Sequence, residues 1–300
     1  IGVVTSDSPV GPFVDPLNAP LISRQTPNCA TVSWLFDPAV LVDDDGNGYI
    51  YFGGGPGKSF AEPGTGRCAK LGADMISIEG DAVTMDVPYL FEDSGINKIG
   101  DTYYYSYCTN SNVDAEGSKK YGFNNAEIAY MTSENPLGPY TYQGVVLRNP
   151  GVYFGCYGNN HHCMFKFNNE WYIAYHTQVL EKPMGIEGGY RCTHITKINV
   201  NEDGSIDKVM STNSKSLAQV KSFNPYDKVE AETMATMAGL NTTQEGMISK
   251  SFGSGNMRFF TVTVKGNSAT TLPSSFTVTV PRYIPLIMFS RGTFTLTHTG

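Results

Sequence analysis

The sequence predicts an all-β protein built as a β-propeller, and three observations carry that prediction. Charged residues make up only 16% and aromatics 12%, with 32 Gly and 17 Pro, a composition that favours short strands and tight turns over helices. An apolar stretch, a polar turn and a Tyr-rich strand recur in LFDPAVLVDDDGNGYIYFGG (35–54), YLFEDSGINKIGDTYYYSYC (89–108) and GNNHHCMFKFNNEWYIAYH (158–176). Counted between Tyr49, Tyr104 and Tyr172, the copies lie 55 and 68 residues apart, a period that suits one propeller blade per copy.

Within each copy one polar residue stands apart. Asp37, Glu92 and His161 lie 12, 12 and 11 positions before those tyrosines, so they occupy one slot of one repeating unit. The slot leads into the strand that opens each blade. In a propeller the opening strands line the central channel, where residues far apart in sequence meet in one pocket. Two carboxyl groups and an imidazole at a channel mouth are the groups that acid-base chemistry uses.

Along the chain, IGVVTSDSPVGPF (1–13) matches IAYMTSENPLGPY (128–140). The second copy follows the Glu92 hairpin and reads as its third strand, so the first reads as the third strand of a blade whose leading strands lie upstream of Ile1. The Gly/Pro-rich run at 53–67 and the polar run at 109–125 read as long loops that shape a binding face. GGYRCTHITKINVNEDGSIDKV (188–209) reads as two strands around an Asn-Glu-Asp-Gly turn. Residues 211–225 turn to Ser, Asn and Lys and read as a linker, which divides a propeller over 1–222 from a smaller β region over 223–300. There FFTVTVKG (259–266) and SFTVTVPR (275–282) alternate as strands do.

The net charge of −7 argues against nucleic acid or an anionic membrane as partner, since both call for clustered basic residues. A neutral ligand fits better, and 18 Tyr suit sugar stacking as well as plain strand structure. Cys29, Cys68, Cys108, Cys156, Cys163 and Cys192 are scattered without a CxxC pair, which argues against a zinc finger and leaves disulfides open. Cys68, Cys108 and Cys163 sit in apolar strands and read as buried thiols. The acids Asp43, Asp44 and Asp45 read as a hairpin turn, because they lack the spaced ligands and closing Glu of a calcium loop. Adjacent His161 and His162 face opposite sides of a strand, while His176 and His194 read as strand residues or supports behind the pocket. The chain carries no signal peptide, and opening on Ile1 it reads as part of something longer.

Phe36-Asp37-Pro38 ahead of Asp43-Asp44-Asp45-Gly46, Phe91-Glu92 ahead of a Tyr-rich strand, and Gly158-Asn159-Asn160-His161-His162 ahead of Trp171-Tyr172 together resemble glycoside hydrolase family 43. The resemblance covers roughly residues 1–222. It implies a five-bladed propeller, its first blade missing here, that cleaves arabinofuranosyl or xylosyl bonds of plant cell-wall polysaccharide with inversion. By it Glu92 is the general acid and Asp37 the carboxylate that orients it and tunes its acidity. His161 falls on the propeller axis, where members often hold a calcium ion or water, and Arg191 and His162 fall at substrate contacts. A general-base Asp is also implied, but no residue matches its motif and its place falls upstream of Ile1. Inversion needs two carboxyl groups about 6.5–9.5 Å apart, so the alternative reading is a propeller that binds sugar without turnover. VEAETMATMAGL (229–240) resembles the start of a family 6 carbohydrate-binding module and implies Glu230 and Glu232 as calcium ligands. A secreted, monomeric protein is implied as well.

Overall fold

The computed structural model describes residues 1–210 apart from 159, 182–184, 186–188 and 190, together with four short strands at 240–242, 248–250, 275–279 and 293–297. Three sheets fill the first part. One comprises β1 (Ala39–Val42), β2 (Gly48–Phe52), β3 (Gly66–Leu71) and β4 (Ile78–Met85), and a second β5 (Leu90–Ile99), β6 (Thr102–Thr109), β7 (Ile128–Ser133) and β8 (Thr141–Leu147). The third comprises β9 (His162–Phe167), β10 (Glu170–Thr177) and β11 (Cys192–Ile198). Each is an antiparallel meander with neighbours in chain order. The turns follow from their residues: Asn168 and Asn169, at φ 48° and 63°, take the left-handed pair that a tight two-residue hairpin demands and that Asn tolerates.

The opening strands gather, β1 lying against β5 and β5 against β9. Both faces of the middle sheet are therefore buried, and β6 shows it residue by residue. Tyr105 and Tyr107 join Tyr49, Tyr51 and Met131 in one core, while Tyr104 and Cys108 face the other way to join Tyr130, Met164, Ile173 and Tyr175. Most of these tyrosines thus serve packing rather than sugar stacking, and their hydroxyls find backbone carbonyls, as in Tyr51 to Pro136 at 2.6 Å and Tyr107 to Pro88 at 2.8 Å. Burial of that aromatic area is the main stabilising term.

The repeat at 1–13 is real in the backbone. Thr5 bridges Val14 as Thr132 pairs Thr141, and the Gly11-Pro12 and Gly138-Pro139 bonds are both cis. It supplies that single bridge rather than a full strand, and Val10, Phe13 and Val14 are exposed. Other expectations change too. The run at 109–125 contains helix α1 (Ala115–Tyr121), capped by Asp114 and closed by Gly122 at φ 71°; a helix of seven residues is too short to show an apolar stripe. A second short helix, α2 (Pro150–Phe154), precedes the third sheet. Beyond β11 the Asn-Glu-Asp-Gly turn is closed by one bridge, Val200 to Ile206, instead of a paired strand. The six cysteines are all free thiols, and Cys163 is exposed rather than buried, since strand alternation sets it on the face opposite buried Met164.

The chain divides into compact units Ile1–Ala218 and Gln219–Gly300. In the second, β12 (Leu240–Thr242) pairs antiparallel with β13 (Ile248–Lys250), and β14 (Ser275–Thr279) with β15 (Thr293–Thr297). The alternating run at 259–266 lies outside the described residues.

Candidate active site

Asp37 stands two residues ahead of β1 at φ 46°, a left-handed conformation that Asp adopts more readily than most residues. That turn aims its carboxylate at β5, where Oδ2 accepts a hydrogen bond from the Asp93 N–H at 3.1 Å. Glu92 lies within β5, between two register shifts; such bulges re-aim a side chain that regular pairing would send elsewhere. His161 immediately precedes β9. The three opening segments so bring ligand atoms of Asp37, Glu92 and His161 within 4.8 Å of one another. Glycine makes this approach possible, for a Cβ on Gly54 would stand 2.2 Å from the Phe91 carbonyl oxygen, next to Glu92.

His161 Nε2 lies 2.8 Å from Glu92 Oε1, close enough for charge attraction but outside hydrogen-bond alignment. The Glu92 carboxylate raises the pKa of His161 above the usual imidazole value, against the effect of burial, with Asp93 and Asp37 adding to the rise. Burial raises Asp37 above the ordinary aspartate value, and Glu92 and Asp93 push the same way; the Asp93 N–H and His161 offset part of this. The site is therefore an acid pair beside an imidazole that keeps its proton to higher pH, an arrangement able to deliver a proton.

His162 does not reach this pocket. Its side chain is 0% exposed, with Nδ1 2.5 Å from Asp93 Oδ2 and Nε2 2.7 Å from Ser106 Oγ. Strand alternation turns it away from His161 into the β5–β6 pair, so it anchors β9 to β5 and is not a substrate contact. Gly95 is the other half of that fit, since a Cβ there would stand 2.5 Å from Ser106 Oγ. Arg191 is exposed, and its charge acts on His176. The ring of His176 lies 5.6 Å from that of His161. Burial, then Arg191 and His161, push His176 down to about 4. Glu230 and Glu232 lie outside the described residues.

Calcium takes six to eight oxygen ligands. Asp37, Glu92 and His161 offer one atom each, one of them a nitrogen, and the imidazole is already engaged with Glu92. Among the described residues no calcium cage is built at this point.

An all-β fold whose opening strands gather two carboxylates and an imidazole offers the groups that acid-base chemistry uses. The chain belongs to glycosyl hydrolases family 43, whose family profile matches residues 1–206. It is 52% identical over 248 residues to an arabinoxylan arabinofuranohydrolase of Paenibacillus polymyxa, covering 81% of this chain and 38% of that protein. Among solved structures it is similar to a family 43 arabinoxylan arabinofuranohydrolase from Bacillus subtilis in complex with cellotetraose, at TM-score 0.69 and 51% identity over 78% of this chain and 49% of that one. It is also similar to a family 43 beta-xylosidase/alpha-arabinofuranosidase from a compost microbial metagenome, in complex with xylotriose and in calcium-free form, at TM-score 0.51 and 29% identity, covering 71% and 66%. The chain thus spans less than half the length of the first two.

Proposed function

We propose that the protein hydrolyses arabinofuranosyl bonds of arabinoxylan with inversion, and that its site is the Asp37–Glu92–His161 cluster. The observation that carries this is the convergence of the three ligand atoms within 4.8 Å on segments that share one slot of the repeat. Glu92 is the general acid: its carboxyl donates a proton to the leaving glycosidic oxygen. His161, 2.8 Å away, holds charge against it. Asp37 orients Glu92 from the neighbouring segment, and exposed Arg191 contacts the sugar. The water-activating base is not assigned to a described residue, since Asp93, the third carboxylate acting on His161, is buried and held by His162. That observation favours the second reading, sugar binding without turnover, for the residues described.

The same reading makes the three sheets blades of a five-bladed propeller and 223–300 a carbohydrate-binding region, in a secreted monomer. The test is release of free arabinose from arabinoxylan by the intact protein, with the anomer formed followed by NMR. Inverted arabinose supports the reading. Bound polysaccharide without product selects the second one, and neither binding nor product overturns both.

A further inference from the structure

His176 has no part in the chemistry assigned above, yet its setting is unusual. On β10 the side chains alternate: Ile173 and Tyr175 turn into the core, where Tyr175 stacks on His194 at 5.4 Å. His176 faces the other way, and its ring meets that of His161 at 5.6 Å and 49°. Both of its ring nitrogens are shielded from solvent, and neither has a hydrogen-bond partner among the described residues. A neutral imidazole carries one N–H donor and one acceptor nitrogen. Buried polar groups are almost always paired, and a Phe of the same shape would avoid the penalty that an unpaired one incurs. A histidine at this point therefore answers a need for its nitrogens, and its neighbour is the imidazole that sits on Glu92.

We propose that His176 is a positioning residue for the hydrolysis assigned above: its ring braces His161, and a water held on its ring nitrogen fixes His161 against the Glu92 carboxyl. It touches neither sugar nor leaving group, and it acts through His161. The inference rests on the glycosidase reading only for its kinetic consequence.

The test compares His176→Phe, which keeps the ring and removes the nitrogens, with the parent protein. If Glu92 loses its alignment, substrates that need a proton on the leaving group suffer most. The kcat on arabinoxylan is expected to fall about tenfold or more with KM within about twofold, while kcat on 4-nitrophenyl arabinofuranoside, a good leaving group, falls less than about threefold. His176→Gln, which restores a donor and an acceptor, is expected to recover part of the loss, and it stands in if the Phe variant fails to fold. Equal losses on both substrates, or no loss on either, would overturn the proposal. Crystal structures without substrate separate this from the activity itself. The His161–Glu92 separation of 2.8 Å should persist in the parent, with a water on His176, and open beyond about 3.5 Å in the Phe variant. An unchanged separation overturns the positioning role even if the enzyme is active; an opened one sustains it even if arabinose is never released.

Discussion

Replacing His162 with Phe separates an anchoring residue from a substrate contact. The imidazole makes two side-chain hydrogen bonds, to Asp93 Oδ2 at 2.5 Å and Ser106 Oγ at 2.7 Å, and Asp93 is only 7% exposed. A hydrogen bond to a charged group contributes about 1.5–3 kcal/mol and a neutral one about 0.5–1.5. Their loss together is therefore expected to cost about 2–4.5 kcal/mol. The Asp93 carboxylate keeps the His162 backbone N–H at 2.9 Å, which holds the cost toward the middle of that range. For a domain of this size each kcal/mol moves Tm by about 2–4 °C, so thermal unfolding followed by circular dichroism should show a fall of roughly 5–15 °C. Because Asp93 adjoins Glu92 and its N–H holds Asp37, kcat should fall with it. Ser106→Ala combined with His162→Phe should lose less than the sum of the two single changes, since they share one bond. A Tm within about 1 °C of the parent, coupled with a tenfold rise in KM, would refute the anchoring role and restore a substrate contact.

Further outcomes follow from the same geometry. Asp37→Asn is expected to abolish most activity while raising Tm at pH 7. A carboxyl whose folded pKa is raised contributes stability below its unfolded value that is lost as pH rises through the folded one, so the gain should vanish below about pH 4 in a Tm series against pH. Gly54→Ala should cost about 1–3 kcal/mol in chemical denaturation and lower kcat, because the added Cβ meets the Phe91 carbonyl at 2.2 Å and pushes β5 away. Chelation by EDTA should leave kcat on an aryl arabinofuranoside within about twofold, since the three converged ligand atoms cover at most half of a calcium shell; a tenfold loss restored by calcium would place an ion in the chemistry.

The three sheets were legible because the repeat is written in turns and aromatics that recur at a fixed distance from one polar residue. Asp37, Glu92 and His161 share a slot in the sequence and share a point in space. What surrounds them was not legible, for reasons of geometry. His162 follows His161 by one residue and the motif alone suggests a contact, but strand alternation buries it. Asp93 gives no signal beside Glu92, because only the bulges in β5 show which of two adjacent acids faces the pocket. Gly54 and Gly95 look like ordinary strand and loop glycines until neighbouring segments are seen within 3 Å of their missing Cβ atoms. The tyrosines were ambiguous by composition, and only the burial of both faces of β6 assigns most of them to packing. Helix α1 was hidden by its length, although Asp114, Glu116, the closing lysines and Gly122 spell out its two ends.

The most direct test of the central claim is the leaving-group dependence of Glu92→Gln. If Glu92 delivers the proton, kcat/KM on arabinoxylan should fall by about 10²–10⁴, the usual worth of general acid catalysis, whereas 4-nitrophenyl arabinofuranoside, whose leaving group departs unassisted, should fall far less. An equal fall on both substrates, or full activity on arabinoxylan, would contradict the assignment of the proton donor to Glu92.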